Sequence, residues 1–211
     1  MYLTVGGFSF YNLLEHYLIN SGNDKKLMYN RISLTHNLSA IFFIMLYFNK
    51  PENLFLSDLA VGNTLGFFIN DSLRYIKLNR YRFSDIVFIY HHIATSIYIY
   101  NKRYNLNSYW APMLFWAEIS NIPSQLVYYY IQKKRLNGNM YHSNLVLAKK
   151  IQLYFYGLIR TFILSYYLFK EYTVIGIDKN LVMTTPLIFL GYIWTYIMYK
   201  SDQIASKKNN V

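Results

Sequence analysis

The chain has 211 residues, 54% hydrophobic and 20% aromatic, with only 15% charged, against about 25% charged in an ordinary soluble domain. Its net charge of +11 sits in short basic clusters between apolar blocks, the flanking charge of membrane helices rather than the footprint of a nucleic-acid binder. Cysteine is absent, which excludes a disulfide framework, a thiol nucleophile and Cys-based metal sites.

Long apolar blocks, undivided by a Pro/Gly/Ser-rich linker or an internal repeat, predict an all-α membrane protein. The expected architecture is a bundle or barrel of six core transmembrane helices plus a possible extra N-terminal helix. Residues 1–30 form an apolar segment and linker. The stretch 1–20 lacks the positive start and small-residue cleavage site of a signal peptide, and reads as a seventh span or an interfacial helix. Six core spans follow within 31–200, at 32–48, 55–76, 85–101, 109–131, 148–169 and 180–199, each near the roughly 20 residues a bilayer demands. A short tail, 201–211, ends the chain.

Assigning the connections to alternate sides puts fifteen of the 21 Lys and Arg on one side and five on the other, with Arg160 inside a span. The basic side, which includes Lys77, Arg80, Arg82 and the C-terminus, is expected to be cytoplasmic. A spanning 1–20 segment would then begin on the opposite side.

Polar side chains inside spans are costly and read first as functional candidates. In chain order they are His36, Asp71, His91, His92, Thr95, Glu118, Asn121, Gln125 and Arg160. Asp71 has Arg74 at i+3 as a partner, and His91 has Thr95 at i+4. Glu118, Asn121 and Gln125 share one stripe, next to a kink expected at Pro123. His91 and His92 diverge by about 100° on a helix, so one can do chemistry while the other orients it. At 1.5 Å per residue, His36, Asp71 and His91 lie roughly 8–9 Å from the basic side, which suggests a chamber opening to the cytoplasm. No metal site is expected, since adjacent histidines do not match the i, i+4 spacing of helical zinc ligands.

Four motifs in order resemble the TLC family, the membrane domain shared by ceramide synthases, translocation-associated membrane proteins and relatives. "RISLTHNLSA" (31–40) is similar to the start of its first core helix, and "LGFFINDSLRYI" (65–76) places Asp71 on the family's acid. "RFSDIVFIYHHIATSIYI" (82–99) resembles its Lag motif, and "FWAEISNIPSQLVYYY" (115–130) its next core helix. Ceramide synthases carry an Asp-x-x-Asp-like pair where this chain has Glu118 and Asn121, so the resemblance is closer to the branch that lacks synthase identity. It implies an endoplasmic reticulum or related endomembrane protein that binds membrane lipids and influences lipid composition.

It also implies a candidate N-acyltransferase site. His91 or His92 would be the base or acyl carrier, Asp71 or Glu118 the orienting acid, and His36, Thr95, Asn121, Gln125 and Arg160 would contribute to binding. No bound cofactor is expected, with acyl-CoA as a candidate co-substrate. Membrane lipids and a homo-oligomer are the candidate partners, and nucleic acid is not. Two other roles fit the same residues: a proton-coupled transporter or channel, and a non-catalytic factor for membrane-protein insertion or trafficking.

Overall fold

The computed structural model describes residues 2–20, 24–77 and 83–209. Arg80 and Arg82, two of the basic residues expected at the cytoplasmic mouth, lie outside them. The described residues are helical, with no strand. In order the helices are α1 (Tyr2–Asn20), α2 (Lys25–Asn49), α3 (Leu54–Lys77), α4 (Phe83–Lys102) and α5 (Trp110–Asn137). There follow a 3-10 turn (Gly138–Tyr141), α6 (His142–Leu158), a π-helical turn (Ile159–Ile163), α7 (Leu164–Ile175) and α8 (Lys179–Asn209). The π turn joins α6 to α7 in one continuous rod, so each of the six expected segments falls within a single rod, except that Tyr109 lies just ahead of α5.

Two of these helices, spanning Lys25–Asn49 and Lys179–Gln203, are long and apolar enough to cross a bilayer by length and composition. Helix α8 continues past residue 200 to Asn209. Helix α5 likewise runs through Pro123 without interruption.

Local chemistry sets the helix ends. Asp24 caps α2, its Oδ1 accepting from the N–H groups of Lys26 and Leu27 at 3.0 and 3.2 Å. Gly138 and Gly176, at φ 68° and 78°, end α5 and α7 in backbone conformations that favour glycine. The fully buried Glu171 serves the start of α5 from another helix, accepting from Tyr109 N–H at 2.5 Å and Ser108 Oγ at 2.7 Å.

Neighbour contacts close the rods into a ring: α2 on α3, α3 on α4, α4 on α8, α8 on α6 and the π turn, α6 on α5, and α5 back on α2. Helix α1 lies against α3 and α2. Its seam with α3 is built on small residues. A Cβ placed on Gly62 would come within 2.8 Å of Leu3 Cβ, one on Gly7 within 2.8 Å of Gly62 O, and one on Gly66 would strike Gly7 and Phe8 backbone. Gly62-Asn63-Thr64-Leu65-Gly66 is thus a G-x-x-x-G face that lets two backbones approach. Since residues 3–4 meet 62 and residues 7–8 meet 66, α1 runs parallel to α3.

Polarity is distributed inside-out. His36, Asn63, Thr64, Asp71, His92, Glu118, Ser120, Arg160 and Glu171 are buried, while Phe42, Leu147, Phe162, Phe169 and Phe189 are exposed. One apolar cluster (Tyr11, Leu18, Met28, Ile32, Phe67, Phe68) fills the end of the ring near the α1–α2 and α3–α4 connections. A larger cluster around Tyr98, Ile99, Trp110, Leu114, Leu164 and Ile188 occupies the other end.

Candidate functional site

Phe67 and Phe68, consecutive on α3 and so about 100° apart, sort two histidines into separate environments. His36 from α2 stacks on Phe67 at 3.9 Å between ring centroids, and His92 from α4 stacks on Phe68 at 4.4 Å.

The His36 side joins four helices. His36 Nε2 lies 3.4 Å from Glu118 Oε1 on α5, an electrostatic contact longer than a well-formed hydrogen bond. The Asn37 amide, with its nitrogen turned inward, donates to Glu118 Oε2 at 3.1 Å and to Ser33 O at 2.9 Å. On the opposite ring edge, His36 Nδ1 lies 3.4 Å from Tyr11 Oη of α1. Tyr11 donates to Asn63 Oδ1 at 2.9 Å and sits 3.0 Å from Ser39 Oγ, to which Asn63 Nδ2 donates at 3.1 Å. Polar contacts therefore run from Glu118 through His36 to α1.

The His92 side is more constrained. Its Nδ1 lies 3.2 Å from Ser72 Oγ and its Nε2 3.8 Å from Asp71 Oδ2. Asp71 is ion-paired with Arg74, as the i, i+3 spacing predicts, and the Arg74 guanidinium lies 4.2 Å from the Tyr29 ring centroid. His91, whose ring centroid is 5.8 Å from that of His92, turns into a cavity. The two histidines diverge as helical geometry requires.

That cavity has about 70 Å³ of room, enough for a few waters at roughly 10–15 Å³ each. Its polar end gathers His91, Thr95, Glu118, Asn121 and Arg160. Its apolar end is lined by Ile99, Trp110, Met113, Leu164, Leu187 and Ile188, among others. Trp110 begins α5 and Ile99 nearly ends α4, so the cavity runs toward the α4–α5 and α7–α8 connections. This departs from the expected chamber on the basic side. The physical reason is packing: Phe67, Phe68, Met28 and Ile32 fill that half, and the Asp71–Arg74 pair lies across it.

Of the nine expected site residues, His91, Thr95, Glu118, Asn121 and Arg160 line one cavity, while His36, Asp71 and His92 lie behind it. Half-buried Gln125, one turn beyond Asn121, is not in the lining. Each expected acid has a definite neighbour. Glu118 meets His36 rather than the His91–His92 pair, and Asp71 is engaged chiefly by Arg74. Among the described residues, no group of three or more His, Asp or Glu converges as metal ligands do.

Arg160 enters from the π turn, a local irregularity frequent at functional sites. Its Nε donates to Ser120 Oγ at 2.8 Å, and its terminal nitrogen to Asn121 Oδ1 at 3.0 Å and Ala117 O at 3.3 Å. Its stem packs beside Gly191 of α8, where a Cβ would approach Arg160 Cβ to 3.2 Å.

Tyr11, Asn63, Ser39, Ser72 and Ser120 enter the site without having been singled out by sequence. The available signal was the G-x-x-x-G on α3, which marks a close partner helix and so places 1–20 beside Asn63. Near the apolar end, buried Lys102 pairs with Asp178 and ties α4 to the start of α8. Desolvation alone would raise the Asp178 carboxyl. The Lys102 ammonium and the Leu181 N–H outweigh it and hold the pKa below the usual 3.8. Searches against protein-family models, curated proteins and solved structures find no match to this chain.

Proposed function

We propose that this chain is a multi-pass endomembrane protein, of the endoplasmic reticulum or a related compartment, that binds lipid within its helix ring and transfers an acyl group there. The observation that carries the reading is His91, a buried-helix imidazole at the polar end of an otherwise apolar cavity. The inside-out polarity adds to it, because exposed Phe and Leu suit lipid while buried polar groups suit a protected site. The G-x-x-x-G seam, along which α1 lies parallel to α3, is also the kind of contact that membrane helices make, and it supports reading α1 as a further span. The motif resemblance to the TLC family supplies the reaction class.

In the proposed step a nucleophilic lipid amine or hydroxyl attacks the thioester carbonyl of acyl-CoA. The C–S bond breaks, a C–N or C–O bond forms, and His91 takes the nucleophile's proton and passes it to the departing thiolate. His92, held by Ser72 and Phe68, positions the backbone that carries His91. General acid–base groups of this kind contribute about 10²–10⁴-fold.

The test is acyl-CoA turnover and cellular lipid profiling with wild type, His91→Ala and His92→Ala. His91→Ala is expected to lose turnover by roughly that factor, and His92→Ala to lose less. Identical turnover and lipid profiles across the three folded, correctly located proteins would rule out catalysis. A second reading, proton-coupled transport, is favoured by the polar contacts from Glu118 through His36 to Tyr11. It predicts proton flux in reconstituted vesicles that disappears in His36→Ala.

A further inference from the structure

The buried cations Arg74 and Lys102 have acidic partners, Asp71 and Asp178. Arg160 is different. It is 9% exposed and, among the described residues, forms no ion pair. A guanidinium has five N–H donors on three nitrogens. Here Nε meets Ser120 Oγ, and Nη2 meets Asn121 Oδ1 and Ala117 O, with the Tyr156 ring centroid 5.1 Å from the guanidinium carbon. Nη1 has no acceptor among the described residues. Unlike the fully enclosed Nη1 of Arg74, it keeps accessible surface, and Arg160 lines the cavity beside His91. A buried guanidinium with only neutral partners is costly, and those partners offset only part of the cost.

Other donors share that end of the cavity. Asn121 uses its oxygen to accept from Arg160, which leaves its amide nitrogen as a donor. Thr64, Thr185 and Thr195 each donate to the carbonyl four residues back, the usual outlet for a helical hydroxyl. The Thr95 hydroxyl makes no such bond among the described residues. Glu118 lines the cavity too, but its oxygens turn to α2, one toward His36 and the other toward the Asn37 amide. The polar end is therefore rich in donors and has one cation without a counter-charge at contact distance.

We propose that this end of the cavity is a site for one small monovalent anion of the chloride class, held on Arg160 Nη1 with hydrogen bonds from the Asn121 amide and the Thr95 hydroxyl. The size fits: about 70 Å³ of room takes a few waters, and a halide needs little more space than one water. The charge fits as well. One guanidinium balances one negative charge, whereas the second charge of sulfate or a phosphate would face the Glu118 carboxylate unbalanced. The site goes beyond the acyl-transfer reading and requires neither lipid in the ring nor a reaction at His91.

The test uses the full chain in nanodiscs of zwitterionic lipid, with radiolabelled chloride binding and the thermal unfolding midpoint read in chloride against gluconate at equal ionic strength. Gluconate is too large for the cavity. Wild type is expected to bind one chloride per chain saturably and to melt higher in chloride, because a ligand of the folded state stabilises it. Arg160→Gln should lose both effects. Thr95→Val, which keeps the side-chain shape, should weaken binding about tenfold, the worth of one hydrogen bond to a charged group. Asn121→Asp is the sharpest variant, since it puts a carboxylate where Asn121 Oδ1 already meets Arg160. It should bind no chloride, and in gluconate it should melt at least as high as wild type does in chloride.

A wild-type midpoint indifferent to chloride, with no more label retained than by folded Arg160→Gln, would mean that water alone fills this end and would overturn the proposal. Chloride binding undiminished in Asn121→Asp would overturn it equally, by placing the ion elsewhere. Acyl turnover by His91, measured at fixed chloride, is decided separately from either result.

Discussion

Glu118 illustrates how a single side chain holds the site. Its two oxygens face His36 and the Asn37 amide. Glu118→Leu strands both partners, and each buried polar group left alone costs about 1–3 kcal/mol. Glu118→Gln keeps a polar partner for them and is expected to cost less. Thermal unfolding in detergent checks this, and equal midpoints for the two variants would contradict the assigned contacts.

Asp178 gives the pH-dependent counterpart outside the helices. Its folded pKa is depressed, so the Lys102–Asp178 pair stabilises the fold at pH values above the unfolded 3.8, and that stabilisation is lost as pH falls through the folded value. Asp178→Asn should therefore melt below wild type at neutral pH, with the gap closing once the medium is more acidic than the native pKa. A gap that widens on acidification would reverse the sign.

Short-range pairs of this kind differ in how visible they are in sequence. Asp71–Arg74 was legible because one turn of helix places i and i+3 together. Glu118–His36 was not, because 82 positions separate them and only the packing of α2 on α5 makes them neighbours.

At the scale of elements, the six expected segments lie within six rods, since long apolar blocks mark helices whatever covers them. Their order around the ring was not legible, as connection length says nothing of which non-consecutive rods meet. The direction of the cavity followed from that order and from where Phe67 and Phe68 point, so it too escaped the sequence. Helix α1 is the instructive case. Its apolar character was evident, yet its position rests on Gly7, Gly62 and Gly66 allowing two backbones to touch. Gly66→Leu is expected to pry α1 from α3 and release Tyr11 from Asn63 and Ser39, at a cost of at least about 1–3 kcal/mol for the overpacking alone. A thermal unfolding midpoint in detergent that is unchanged in Gly66→Leu would contradict the seam.

At the scale of the whole molecule, charge, polarity and cavity form one design. Polar groups gather on the inner faces of α2, α3, α4, α5 and the π turn, large apolar side chains face outward, and the cavity between them has one polar and one apolar end. Large apolar side chains exposed on this scale mark a surface made for lipid or for partners. Two helices meet the length and composition for crossing a bilayer on their own.

The proposed function requires that the space inside the helix ring holds lipid. Native mass spectrometry of the chain extracted from membranes, wild type against Leu187→Trp, tests it most directly. Wild type is expected to carry a bound single-chain lipid that survives mild activation, and Leu187→Trp to emerge without it at equal folding yield. The same lipid retained equally by both proteins, or by neither, would contradict the account.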